Sequence, residues 1–271
     1  MTTILCVPQW QGSGSAEASR LAAGARRTAE LIPADARVTV PVVETGGGTS
    51  GGTGGAITDG VRALDVLVEN LRLTREALAG IDDKVITVGG DCGVDLAPIA
   101  AARARYGDRL TLLWIDAHPD LYLPHTLKSG AFHAMVLRAL LGEGPPALVP
   151  EQPLTPEQVI LAGVRVGDTV ERDYIAKAGL RTHGVEDLEG LLDGLTGPVY
   201  VHIDLDVLDP PAFGSTCYPE PDGVPPQRLI DLVSRLDDVV GAAITEHAPR
   251  EGAADAGEAE VIRRLGAALP L

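Results

Sequence analysis

The sequence predicts an α/β protein in which a parallel sheet lies between layers of helices. Short β-branched segments alternate with longer Ala- and Leu-rich segments along all 271 residues, which is the order of repeated strand–helix units. Several short segments, such as LTLLWIDAH and VYVHIDLD, are continuous apolar runs rather than alternations. Such runs are typical of strands covered on both faces. We therefore expect a single domain that spans residues 1–271.

The individual elements follow from the same patterns. The β-branched runs predict strands at residues 2–7, 37–43, 84–88, 110–115, 159–164, 180–183, 198–204 and 239–246. The longer segments predict helices at residues 16–31, 58–79, 97–106, 130–141, 169–178, 226–236 and 254–268. The glycine-rich segment 46–55 is interpreted as a flexible loop or, because it follows a predicted strand, as a mobile edge of a site. The Pro-rich segment 144–156 is interpreted as a surface connection.

Charge and composition narrow the classes of partner. The net charge of −16 argues against nucleic acid and anionic membranes, and it fits either a cationic substrate or an excess of solvated carboxylates. The N-terminal residues do not resemble a signal peptide, and no apolar stretch approaches the ~20 residues of a membrane helix. The three cysteines, Cys6, Cys92 and Cys217, are widely spaced and suggest no disulfide framework, so we expect a cytoplasmic protein.

Acidic residues and one imidazole follow three of the predicted strands. The motifs are Gly89-Gly90-Asp91-Cys92, Asp116-Ala117-His118-Pro119-Asp120, and Asp204-Leu205-Asp206 with Asp209-Pro210. In open parallel sheets ligands bind beyond the carboxyl ends of the strands, where these motifs would meet. Each motif alone has residue types that are common in loops after strands. Three such motifs together, each at a strand end, predict a functional site.

The residue types in these motifs predict a metal centre. In D-x-H-x-D and D-x-D, alternate residues of an extended segment point the same way, so their side chains can converge. Crowded carboxylates repel one another unless cations neutralise them. A set rich in carboxylates suits Mn²⁺, and two such ions can generate a nucleophile from water at neutral pH.

These motifs resemble those of the arginase–agmatinase (ureohydrolase) family. Members carry GGDH, DAHxD, SGNxHG, DxDxxDP and a late E-x-x-P in that order. The corresponding segments here are Gly89–Cys92, Asp116–Asp120, Ser129-Gly130-Ala131-Phe132-His133, Asp204–Pro210 and Glu246-His247-Ala248-Pro249. The resemblance implies an arginase-like three-layer α/β/α fold with an eight-stranded parallel sheet. It also implies metal-dependent hydrolysis of a small guanidino compound, two Mn²⁺ ions and a homo-oligomer, a trimer or a hexamer.

The resemblance also implies roles for individual residues. Asp116 and Asp204 would bridge the two metals, Asp120 would complete one metal site, and His118 and Asp206 would complete the other. The further roles concern catalysis and substrate binding. His133 matches a histidine that shuttles protons. Glu246 matches the acid that pairs with the substrate guanidinium, and Ser129 matches a residue that contacts the substrate carboxylate. The proton that the leaving amine needs could come from Asp120 or from His133, and the sequence does not decide between them.

Cys92 is a departure from the family pattern, because it stands where the family has a histidine ligand. A thiolate can ligate a metal, but it is softer than imidazole and must first lose a proton. The alternative is a small buried thiol that takes no part in coordination. We expect weaker binding or loss of the adjacent ion, and impaired activity is possible.

The sequence also bears on the identity of the guanidine. Asp168 and Glu171, in a GxRxxDxxE stretch like that of arginases, would face the substrate's α-amino group and favour an amino acid over agmatine. Carboxylates at the start of a helix offer a competing explanation. Tyr122 and Ala131 replace two expected asparagines. Together with Cys92, this pattern resembles the Nω-hydroxy-L-arginine hydrolases of antibiotic biosynthesis, such as that of the D-cycloserine pathway.

Three functions therefore remain open at this point. The first is hydrolysis of Nω-hydroxy-L-arginine or L-arginine to ornithine and hydroxyurea or urea. The second is hydrolysis of agmatine or another guanidino compound. The third is a degenerate, non-catalytic metal-binding regulator or subunit, which the substitution at Cys92 motivates.

Overall fold

A parallel eight-stranded sheet forms the centre of the molecule. The structure is a computed structural model that describes residues 1–43, 55–250 and 256–271. The strands among these residues are β1 (Thr2–Val7), β2 (Ala36–Thr39), β3 (Ile57–Thr58), β4 (Val61–Arg62), β5 (Lys84–Gly89), β6 (Thr111–Ile115), β7 (Val159–Ala162), β8 (Arg181–His183), β9 (Val199–Asp204) and β10 (Val239–Thr245). The large sheet has the order β2-β1-β5-β10-β9-β6-β7-β8, and β3 and β4 form a separate two-stranded sheet. The expected eight-stranded parallel sheet is confirmed.

Helices cover both faces of this sheet. They are α1 (Arg20–Leu31), α2 (Leu64–Ala79), α3 (Leu96–Tyr106), α4 (Val136–Leu140), α5 (Thr169–Ala178), α6 (Pro226–Val233) and α7 (Ala256–Ala268). The apolar core on one face includes residues of α1, α6 and α7, and the core on the other includes residues of α2, α3 and α4. The three-layer arrangement predicted from the family resemblance is therefore confirmed.

Strand β6 shows why the sequence runs are continuously apolar. Leu113 and Ile115 contribute to one core, whereas Leu112 and Trp114 contribute to the other. Successive side chains of a strand point to opposite faces, so a strand between two helix layers buries all of them. The four side chains are completely buried.

Several predicted boundaries were wrong, each for a local reason. Predicted strand 37–43 stops pairing at Thr39, just before Pro41, which has no N–H to donate to a ladder. Predicted helix 58–79 begins only at Leu64, because Ala63 before it has a left-handed backbone with φ of 50°. Predicted helix 130–141 is regular only from Val136; a 3₁₀ turn, Phe132–Met135, precedes it.

Further differences from the predicted bounds lie at the ends of elements, and two predicted segments extend beyond the described residues. Helix α1 starts at Arg20 rather than at residue 16, β7 ends at Ala162, and α6 ends at Val233. The glycine-rich segment 46–55 lies outside the described residues except for Gly55, as does the start of predicted helix 254–268. Within residues 1–43, 55–250 and 256–271, no helix combines the length and the apolar character that a membrane crossing requires.

Candidate metal centre

The three motifs converge because their strands are close neighbours in the sheet. Strands β5, β10, β9 and β6 lie side by side and run in the same direction, so their carboxyl ends share one edge. A cleft of about 440 Å³ opens at this edge. Its lining includes all predicted site residues except two, Cys92 and Asp116, which lie in the buried cluster beneath it. The residues that line it are His118, Asp120, Ser129, His133, Asp168, Glu171, Asp204, Asp206 and Glu246.

One group of candidate ligands consists of Asp116, His118 and Asp206. Their ligand atoms lie within 4.8 Å of one another. His118 Nδ1 is 2.9 Å from Asp206 Oδ2, and Asp116 Oδ1 accepts a hydrogen bond from the His118 backbone N–H at 2.7 Å. Burial opposes protonation of His118, but Asp116 and Asp206 outweigh it and raise the pKa of this imidazole.

A second group contains Cys92, Asp204 and Glu246, again with ligand atoms within 4.8 Å of one another. The Cys92 thiol donates to Asp204 Oδ2 at 3.1 Å, and the Cys92 backbone N–H donates to Glu246 Oε1 at 3.3 Å. Burial and the neighbouring carboxylates hold the pKa of this thiol well above its ordinary value. Cys92 is therefore part of the cluster, and whether it ligates a metal stays a prediction.

The cluster fits divalent cations because its carboxylates are buried together. Burial and mutual repulsion raise the pKa values of Asp116, Asp120 and Asp204. One carboxylate oxygen of Asp120 and one of Glu246 are buried without a hydrogen-bond partner among the described residues. Buried oxygens of this kind need a donor or a cation, which a metal centre supplies.

The backbone at two of these residues is also unusual. Asp120 has φ of 51° and Glu246 has φ of 64°, the left-handed region that residues with a Cβ seldom adopt. Strain of this kind persists only where the surroundings fix it, and it gathers at functional sites. Glu246 directly follows β10, and its backbone N–H donates to the carbonyl of Gly90 at 2.9 Å. The turn thereby directs its side chain towards the cluster.

His133 is held beside the cluster by a chain of contacts that begins at Asp91. Asp91 accepts hydrogen bonds from the Gly12 N–H at 2.8 Å and from Gln9 Nε2 at 3.0 Å, and the Gly12 carbonyl accepts one from the His133 N–H at 3.1 Å. Burial, followed by the charge of Glu246, raises the pKa of Asp91 to about 7.

The His133 ring lies between an acid and an aromatic side chain. Its Nδ1 is 3.6 Å from Glu246 Oε1, and the ring stacks on Tyr218 with centroids 5.3 Å apart. Burial opposes protonation of this ring, but Glu246 and Asp91 outweigh it and raise the pKa of His133. The sequence analysis did not single out Tyr218, because it belongs to no motif.

Asp168 and Glu171 lie at the start of helix α5 and cap it. Asp168 Oδ1 accepts from the backbone N–H groups of Val170 at 2.8 Å and Glu171 at 3.2 Å. Glu171 accepts from the backbone N–H groups of Asp168 and Leu121, and burial raises its pKa to about 7. The capping explanation is thus present in the structure, and both residues also line the cleft.

The remaining specificity positions surround the same cleft. Ser129, Tyr122 and Ala131 all line it. Ser129 Oγ accepts a hydrogen bond from the Ala131 N–H at 3.3 Å. Burial raises the pKa of the Tyr122 phenol, and its interactions with Glu171 and Asp168 raise this pKa further. The structure therefore brings all predicted substrate-binding residues to one cavity.

Comparison with known proteins identifies the family. The sequence profile described as "Arginase family" matches residues 38–268. This chain belongs to the arginase family. Among the solved structures it resembles the Entamoeba histolytica arginase in complex with L-ornithine, with a TM-score of 0.83 at 20% identity over 99% of this chain and 97% of that one. At that identity the likeness concerns the fold.

Two curated members of the arginase family illustrate the range of relatives. The arginase of Staphylococcus aureus (strain COL) is 31% identical over 173 residues, which cover 56% of each chain. The N(omega)-hydroxy-L-arginine amidinohydrolase of Streptomyces lavendulae is 33% identical over 174 residues, which cover 62% of this chain and 61% of that protein. In both cases the match spans less than two thirds of the relative's length.

Proposed function

We propose that this chain is a binuclear manganese hydrolase that acts on the guanidino group of an arginine-type amino acid. Its preferred substrate would be Nω-hydroxy-L-arginine, with L-arginine second, and its products ornithine and hydroxyurea or urea. The proposal covers residues 1–271 as one catalytic domain. The observation that carries it is the convergence of His118, Asp204 and Asp206 with the other candidate ligands at the floor of one cleft.

The proposed ligands divide between two ions. Cys92, Asp116, Asp120 and Asp204 would hold one ion, and Asp116, His118, Asp204 and Asp206 would hold the other. The buried, mutually repelling carboxylates described above support this assignment. When bound, two manganese ions lower the pKa of a water molecule and stabilise the negative charge of the transition state.

Glu246 would bind and orient the guanidinium. Its carboxylate is 2% exposed, and its Oε2 has no hydrogen-bond partner among the described residues. A buried carboxylate of this kind can accept N–H groups of a guanidinium in a charge-assisted contact. In this proposal the contact also fixes the position of the guanidino carbon.

The leaving nitrogen must gain a proton when the carbon–nitrogen bond breaks. His133 and Asp120 both line the cleft, and imidazole and carboxyl groups are the side chains that most often act as general acids. His133 contacts Glu246, which holds the guanidinium in this proposal, and so it lies on the substrate's side of the cluster. The choice between the two donors is left to mutagenesis.

Three features support an amino-acid substrate with a modified guanidine. Asp168 and Glu171 place carboxyl groups on the part of the cleft that would face an α-ammonium group. Tyr122 and Ala131 stand where the family resemblance leads us to expect asparagines, so the α-carboxylate of the substrate would be held differently than in arginases. The relative from Streptomyces lavendulae is named for hydroxyarginine hydrolysis. A hydroxylated guanidine is also less basic than that of arginine.

The test is product release by the purified, Mn²⁺-loaded chain with L-arginine, Nω-hydroxy-L-arginine and agmatine in parallel. Ornithine is measured for the first two substrates and putrescine for agmatine. The highest kcat/KM with hydroxyarginine supports the proposal, whereas preference for agmatine makes the chain an agmatinase. No turnover of any guanidine, despite bound metal, makes it a non-catalytic metal-binding protein.

A further inference from the structure

A histidine outside all the motifs lies against the proposed metal centre. His202, on β9, is completely buried. Its ring stacks on Trp114 with centroids 3.5 Å apart and an interplanar angle of 5°, and its Nδ1 is 2.9 Å from Asp95 Oδ2. Asp95 is itself completely buried and accepts a second hydrogen bond from the Tyr200 hydroxyl. Two independent contacts therefore fix the orientation of the imidazole.

The contact with Asp95 distinguishes the two nitrogens of His202. Nδ1 is engaged with the carboxylate, and in a neutral imidazole that donates from Nδ1 the lone pair lies on Nε2. This Nε2 is buried and has no hydrogen-bond partner among the described residues. An unsatisfied buried acceptor lowers the stability of the fold, so this atom needs a donor or a cation.

The free nitrogen of His202 belongs to a cluster of ligand atoms. A ligand nitrogen of His202, the Cys92 sulfur and an Asp116 carboxylate oxygen lie within 4.8 Å of one another. Since Nδ1 is taken by Asp95, the nitrogen available for an ion is Nε2. An imidazole whose other nitrogen donates to a carboxylate is the usual arrangement of metal-binding histidines in proteins.

We infer that His202 is a metal ligand, oriented by Asp95, in the ion site that Cys92 and Asp116 share. The inference rests on the proposed metal centre. It also bears on Cys92, which replaces the family's histidine ligand: the imidazole lost at position 92 is supplied from position 202. The donor set of this ion then contains sulfur, nitrogen and oxygen, and both ions keep a nitrogen donor, His118 in one site and His202 in the other.

The first experiment measures the number and affinity of Mn²⁺ ions bound by the full chain. His202→Phe keeps a ring against Trp114 but removes both nitrogens, and we expect at least tenfold weaker binding of one of the two ions. Asp95→Asn keeps a side chain of the same size but disturbs the orientation of His202, and we expect about 10–100-fold weaker binding of the same ion. His183→Phe is the matched control, because His183 Nδ1 also lies 2.9 Å from a carboxylate, that of Asp187.

The second experiment detects coordinated nitrogen directly by pulsed electron paramagnetic resonance of the Mn²⁺-loaded chain. In His118→Asn, a directly coordinated imidazole should still couple to manganese, and the coupling should vanish in the double variant with His202→Phe. If the double variant does not fold, the presence or absence of the coupling in His118→Asn decides. Its absence there, or unchanged binding of both ions by His202→Phe, overturns the inference.

These readouts separate the inference from the proposed function. If the chain is inactive but shows the His202 coupling, the inference holds and the proposed activity is wrong. If the chain hydrolyses a guanidine but binds both ions independently of His202, the proposed activity holds and the inference is wrong. Failure to bind Mn²⁺ at all contradicts both.

Discussion

His118 Nδ1 lies 2.9 Å from Asp206 Oδ2, although the two residues follow different strands. The contact exists because β6 and β9 are adjacent and parallel, so that both residues emerge at the same edge of the sheet. Asp206 Oδ1 also accepts from the Ala117 N–H at 3.2 Å, which ties the two strand ends together. The adjacency of the two strands therefore positions the pair.

Replacing either partner should disable the centre. His118→Asn and Asp206→Asn each remove one proposed ligand while preserving approximate size, and we expect kcat/KM to fall by at least about 100-fold with loss of one of the two bound Mn²⁺ ions. His125→Asn is the control, since His125 is exposed. Full activity with full metal content in either variant would falsify the assignment.

Chelation should lower the stability of the protein. Asp116, Asp120 and Asp204 repel one another in the buried cluster, and an ion that binds only the folded state stabilises it by about 2.7 kcal/mol at 100 times its Kd. The measurement is Tm with EDTA and after Mn²⁺ is restored. Asp204→Asn should show a much smaller response to Mn²⁺. An identical Tm in both conditions would argue against a metal in this cluster.

Glu246→Gln should separate substrate binding from metal binding. The amide keeps the shape of the side chain but loses the charge that would pair with a guanidinium, so we expect kcat/KM to fall by about 10–1,000-fold while the metal content is unchanged. Steady-state kinetics and metal analysis check this. Kinetics like those of the wild type would mean that the guanidinium binds elsewhere.

Asp168 offers a test of substrate recognition against helix capping. Asn caps a helix as well as Asp, so Asp168→Asn should leave the free energy of unfolding within about 0.5 kcal/mol of the wild type, whereas Asp168→Ala should lose ~1 kcal/mol. If Asp168 also faces the α-ammonium group, both variants should raise KM for arginine-type substrates but not for agmatine. Unchanged KM in Asp168→Asn would leave capping as its function.

His247 should make the protein sensitive to acid. Burial lowers the pKa of this imidazole from 6.5 to about 4, and its Nδ1 contacts Thr28 Oγ1 at 2.8 Å. Because the unfolded chain takes up the proton first, stability is fully present above pH 6.5 and is lost as the pH falls towards 4, by about 3 kcal/mol in total. Chemical denaturation of the wild type and His247→Asn at several pH values measures the difference. Parallel pH profiles of the two proteins would contradict it.

The strands and the main ligand motifs could be predicted because each depends on residues that are close together in the sequence. Continuous apolar runs mark buried parallel strands, and acids directly after them mark the functional edge of the sheet. Boundaries were less accurate where a single backbone angle decides, as at Ala63 before α2. Glu246 could be assigned a role only by resemblance, since a lone acid after a strand has no chemical pattern of its own.

The sequence alone thus determined the α/β architecture. It also predicted that four polar residues meet at one edge of the sheet, namely Asp116, His118, Asp204 and Asp206, and that Cys92 departs from the family pattern. Only the tertiary structure placed His202, which sequence reading assigns simply to a strand core, with Asp95 on one side and Cys92 on the other. The physical reason is that a strand alternates its faces. Which layer a side chain meets, and whether a buried nitrogen finds a partner there, depends on distant segments that no local pattern specifies.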